Sequence, residues 1–64
     1  MKYYVLNVYG IAGTSTHKRA RSALHERDKR EGEGWIVRDE TGQGWDRYGG
    51  DAVRVGYVRA RGDL

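Results

Sequence analysis

The chain contains no cysteine and no phenylalanine, and none of its apolar runs is long. Without cysteine, neither a disulfide nor a thiolate zinc site can staple a small fold, and two histidines do not build a structural metal centre alone. No apolar stretch approaches the ~18 residues of a membrane-spanning helix. Met1 to Tyr9 has neither the apolar core nor the cleavage site of a secretion signal. A cytoplasmic protein is expected, with no membrane association and no cofactor. The absence of phenylalanine leaves every aromatic residue as tyrosine (3, 4, 9, 48, 57) or tryptophan (35, 45). Each of these rings carries a polar handle suited to half-buried or interface positions.

The 64 residues make one domain. A chain of this size buries only about 60% of its unfolded surface, so its stability is marginal and a partner or a second copy is the expected support. A homodimer is therefore anticipated. The net charge is +3 and the isoelectric point about 9.5, a modest excess that favours acidic partners such as nucleic acid or an acidic protein surface. Arginine supplies nine of the twelve cations, which suits bidentate contacts to phosphate or carboxylate. The same arginine and glycine enrichment also arises from GC-rich coding, so composition alone does not decide.

Lys2 to Tyr9 is rich in tyrosine and valine and reads as a strand with two largely apolar faces. Gly10-Ile-Ala-Gly13 then reads as a break, with Thr14, Ser15 and Thr16 each offering an N-cap hydroxyl for a helix over Ser15 to Arg30. Gly32 and Gly34 supply its stop. Trp35 to Asp39 is a second strand, Glu40-Thr41-Gly42-Gln43 a tight turn, and Gly44 to Tyr48 the returning arm of a hairpin. Gly49-Gly50-Asp51 is another turn, Ala52 to Ala60 a last strand, and Arg59 to Leu64 a frayed tail. The expected fold is an α+β two-layer sandwich: one helix on a three- to four-stranded, mainly antiparallel sheet, in the order strand, helix, strand, strand, strand. One helix covers one sheet face. The other is expected to present Tyr3, Val5, Tyr9, Trp35 and Trp45, a patch large enough to require a second copy or a ligand.

Steps of 100° along the expected helix put Lys18, Arg21, Ser22, His25 and Lys29 on one stripe, opposite Thr16, Ala20, Ala23 and Leu24. Arg19 and Arg30 flank the stripe. Such a ridge suits a phosphate backbone, where cations provide most of the non-specific affinity. Its bland counterpart is an ordinary solvated face paired with Glu26, Asp28 and Glu31 at helical spacing. Arg27 lies with the apolar residues, its stem at their edge and its head toward a carboxylate or water. Tyr3, Tyr9, Trp35 and Trp45 form a candidate stacking or interface group, comparable in kind to surfaces that hold single-stranded bases.

Three weaker signals complete the reading. Gly10-x-x-Gly13-Thr14-Ser15 lies where a strand-to-helix loop could cradle an anion, yet it lacks the lysine of a phosphate-binding nucleotide loop. On one helix, His17 and His25 would be about 12 Å apart, too far to share a metal ion. Arg61-Gly-Asp63 resembles a cell-adhesion tripeptide only by chance. The leading expectation is a non-catalytic, nucleic-acid-binding accessory protein that uses Lys18, Arg19, Arg21, His25, Lys29 and Arg30. The alternative is a small inhibitor or adaptor that plugs a surface of a larger host protein. In size and arrangement the chain is similar in a general way to small phage-encoded inhibitors, including some anti-CRISPR proteins, a likeness of fold only. A ribonuclease-like toxin using His25 with Arg21 or Lys29 is the third reading.

Overall fold

The computed structural model describes residues 1–58. It contains six elements: β1 (Tyr3–Asn7), β2 (Gly10–His17), α1 (Ala20–Lys29), β3 (Trp35–Asp39), β4 (Gln43–Tyr48) and β5 (Asp51–Tyr57). The strands form one antiparallel sheet in the order β2-β1-β3-β4-β5. The α+β class stands, but the sheet has five strands rather than three or four, and a second strand precedes the helix. The expected tail, the adhesion-like tripeptide and the expected strand residues Arg59 and Ala60 lie outside the described residues.

The additional strand is the segment expected to be a turn and the first helical turn. β1 stops at Asn7, whose side-chain carbonyl accepts the Tyr9 N–H at 2.9 Å and whose amide donates to the Glu33 carbonyl at 2.9 Å. This Asx-type turn sends the chain back along β1, pairing Asn7 with Gly10, Val5 with Ser15 and Tyr3 with His17. Between these pairs the register shifts, and Thr14 Oγ1 donates to the Ile11 carbonyl at 2.7 Å across the bulge. The hydroxyls expected to cap a helix are used inside a strand, an environment that β-branched threonine also favours. Gly13 is required here: its φ is +82°, and a Cβ would come within 2.8 Å of the Trp35 ring.

The helix therefore begins at Ala20 rather than Ser15. Its N-cap is Arg19, in extended conformation and with no side-chain cap hydrogen bond. Ala23 and Leu24 are fully buried against Val5 and Val37, with Tyr3, Trp35, Trp45 and Ala52 packed around them. Burying each of the large aliphatic side chains in this core contributes about 1.5–3 kcal/mol.

That packing corrects the expected sheet faces. Tyr3, Val5, Trp35 and Trp45 lie on the helix side, not on the uncovered one. By strand alternation, Tyr4, Leu6, Ile36 and Arg38 take the opposite face. This face is not an open aromatic patch, because Leu6 is 2% and Arg38 6% exposed. The expectation of a dimer loses the surface on which it rested.

Candidate nucleic-acid interface

The helix phase sets the site. With Ala23 and Leu24 against the sheet, Arg21, Ser22, His25 and Lys29 project to solvent, and all four are exposed. Lys18 and Arg19, also exposed, stand in the bend between β2 and α1 rather than on the helix. Thr16 leaves the expected wheel entirely and pairs with Tyr4 in the sheet. Arg21 comes within 3.7 Å of Asp51, but both side chains are about three-quarters exposed, so the pair is worth little. Among the described residues, Lys18, Arg19, His25 and Lys29 have no ion-pair partner.

Arg30 does not belong with them. Its guanidinium donates to the Gly13 carbonyl at 2.6 Å and to Ser15 Oγ at 3.0 Å. It also lies 4.8 Å above the Trp35 ring, and its Nε is 3.4 Å from Glu26 Oε2. The expected ridge residue is instead a clamp joining α1, β2 and β3. Two of the carboxylates expected to neutralise the ridge, Glu26 and Asp28, are committed to other cations, Glu26 to Arg30. Asp28 accepts from Arg27 and Arg47, and Asp46 from Arg27, giving a chain Arg47–Asp28–Arg27–Asp46 with contacts of 2.9–3.1 Å. Arg27 thus meets the expectation of a packed stem and a carboxylate-bound head.

These pairs leave electrostatic signatures. Burial would lower the Arg27 pKa, but hydrogen bonds to Asp46 and Asp28 outweigh it and raise the value. Burial would raise Asp28, whereas its bonds from Arg27 and Arg47 bring it below the usual carboxylate range. Asp46 is lowered first by the backbone N–H of Arg47 and then by Arg27.

The aromatic candidates have separated. Trp45 meets Tyr3 edge to face, with centroids 5.4 Å apart at 83°, and donates its indole N–H to Asp39 at 2.8 Å. Trp35 donates its own to the Glu31 carbonyl at 3.0 Å. Tyr9 alone of the four is well exposed, at 70%, with its ring against Gly34. A Cβ at Gly34 would sit 2.7 Å from that ring, and φ there is +90°.

The sequence reading passed over Asp39, which is 1% exposed. Its Oδ1 accepts the Thr41 N–H at 2.9 Å, the Thr41 hydroxyl at 2.5 Å and the Gln43 N–H at 3.1 Å, while Oδ2 takes the Trp45 indole. Burial pushes this carboxyl up, but the bonds from Thr41, Trp45 and Gln43 together pull it below its ordinary value. An Asp two residues before Thr-Gly at a hairpin turn is a legible Asx-turn signal. Ser15 and His17, both facing the helix from β2, also contact each other, with Oγ 2.8 Å from Nε2. His17 and His25 thus lie on different elements, not on one helix. The Gly10 to Ser15 segment lies within β2, so it is not a loop opening a helix.

No helix among the described residues is long and apolar enough to cross a membrane. Comparison with protein-family models, with curated proteins and with solved structures finds no match for this chain.

Proposed function

We propose that the protein is a non-catalytic nucleic-acid-binding accessory module whose contact surface is Lys18, Arg19, Arg21, His25 and Lys29. One observation carries this reading: the chain separates its cations into two sets. Arg27, Arg30 and Arg47 are held by carboxylates, carbonyls and an aromatic ring, whereas the cations along the outer helix face and its approach stay exposed and essentially unpaired. Arg21, His25 and Lys29 recur every four residues, so they line one side of the helix and can follow a phosphate backbone. Arg21 in the first helical turn and Arg19 at the N-cap also oppose the macrodipole, a cost to the fold that a contact surface would explain.

Fluorescence anisotropy with labelled single-stranded and duplex DNA and RNA tests the proposal. Binding should be measurable at low salt and weaken steeply between 50 and 200 mM, because counterion release drives it. Absence of salt-dependent binding to all four probes contradicts it.

A second reading, docking on a larger host protein, draws support from Tyr48 and Tyr57, which are 70% and 78% exposed on the β4–β5 hairpin. A protein partner captured stoichiometrically from nuclease-treated lysate would favour that reading over the first. If the chain dimerises, it must use such surfaces rather than Tyr3, Trp35 and Trp45, and a light-scattering mass distinguishes the two states.

A further inference from the structure

β3 and β4 are paired only at Val37–Trp45 and Arg38–Gly44, whereas β4 and β5 continue together to Tyr48–Asp51. The hairpin consequently leans away from the first half of β3. The hydrogen bonds from Val8 N–H to Gly34 O and from Glu40 N–H to Lys2 O show that the even-numbered residues of β3 bond to β1. Alternation in an antiparallel ladder then turns the N–H and C=O of Trp35 toward β4, beyond the last pair of that ladder. On the opposite side the Arg47 N–H donates to Asp46 Oδ1 at 2.7 Å, and Arg27 donates to the same oxygen at 2.9 Å. The Asp46 carboxylate thus takes a backbone donor of β4 where the β3–β4 ladder has ended.

The result is an open cavity of about 150 Å³ lined by Trp35, Val37, Trp45 and Val55, with Arg27 and Asp46 also on its wall. That volume is about what one six-membered ring needs. Both indole N–H groups are already bonded elsewhere, to Glu31 and Asp39, which leaves carbon surface for packing. The polar groups are of a different kind: a backbone N–H and C=O at Trp35, a guanidinium and a carboxylate. Arg27 and Asp46 are already bonded to each other, so an aliphatic or plain phenyl group would leave the Trp35 N–H and C=O unanswered, while a ring with alternating donors and acceptors on its edge can meet them.

We propose that this notch binds a single planar heteroaromatic ring of the pyrimidine-base kind. The inference rests on the nucleic-acid reading and deepens it: phosphates lie along the outer helix face, and an unstacked base enters between β3 and β4.

Titration of the ¹⁵N-labelled full chain with uridine, a probe with no phosphate, tests the notch separately from the cationic face. Saturable shifts of the Trp35 amide and of both indole N–H signals are expected, with adenosine weaker. Val55 is 50% exposed, so Val55→Phe should fold while filling the cavity and weaken uridine by about tenfold, the scale of one lost base-stacking contact. Val55→Leu is a smaller block should the larger ring disturb folding. Arg21→Glu with Lys29→Glu should leave uridine binding unchanged. If uridine binds although no polyanion does, the notch stands and the cationic face fails. The proposal is overturned if uridine gives no saturable shift, if the filled variants bind it as well as the parent, or if N-acetyltyrosinamide binds equally well.

Discussion

At the scale of single residues, the fold relies on polar side chains that reach several backbone segments at once. Asp39 is the clearest case, because it ties the β3–β4 turn to the Trp45 indole from a buried position. Asp39→Ala should cost about 3 kcal/mol, since it strands buried donors, and Asp39→Asn somewhat less. Thermal unfolding of both variants checks the order. The sign of the pH dependence follows from the lowered carboxyl pKa values of Asp28, Asp39 and Asp46. A carboxyl more acidic in the folded chain stabilises it above the unfolded value near 3.8, and that contribution is lost as pH falls through the folded value. Stability should therefore hold above pH 4 and decline below it. Salt should weaken the share from the exposed Asp28 and Asp46 pairs but not that from buried Asp39. Arg30→Ala should destabilise by about 1–3 kcal/mol, because it removes charge-assisted bonds from a packed side chain. Lys29→Ala, one position away, should shift stability by under about 0.5 kcal/mol.

At the scale of elements, what was legible depended on whether local chemistry had one meaning. The two later hairpins could be read because Thr-Gly and Gly-Gly turns separate runs of strand formers. α1 kept its phase because Ala23 and Leu24 have no competing face. β2 was hidden because glycine, serine and threonine suit a turn and a helix cap as well as a bulged strand. The deciding factor was tertiary: Trp35 and Arg30 pack onto Gly13 and Ser15. Trp35 was expected on the uncovered face because it and Ile36 are both apolar and alternation alone does not rank them; the pairing of Val37 with Val5 sets the register that turns Trp35 to the helix. Two substitutions probe these elements. Gly13→Ala should destabilise by more than about 1 kcal/mol through strain and the close Trp35 ring, whereas Gly10→Ala, with open space at its Cβ, should cost less. Arg19→Asp should supply the helix cap that is missing and stabilise by about 0.5–1 kcal/mol. The same change removes a ridge cation, so nucleic-acid binding should weaken as the melting temperature rises.

At the scale of the whole molecule, the cations divide into a set that holds the fold and a set left to solvent. The candidate ridge was legible as a pattern, since Arg21, His25 and Lys29 sit where helical spacing puts them. Its limits were not legible, because the roles of Arg30 and the nearby carboxylates depend on β2 and β4. The core between helix and sheet is small, with Val5, Leu24 and Val37 its largest fully buried apolar members, and the inner set of ion pairs extends it at the helix C-terminus. The outer set contributes little to holding the fold. The most direct test is the salt dependence of oligonucleotide affinity for the parent chain and for Arg21→Glu with Lys29→Glu, measured by anisotropy and read beside their melting curves. The double variant should melt with the parent, bind far more weakly, and show a logarithmic salt slope shallower by about 2, one for each cation lost. Equal affinity and slope, or a variant that unfolds, would contradict the division.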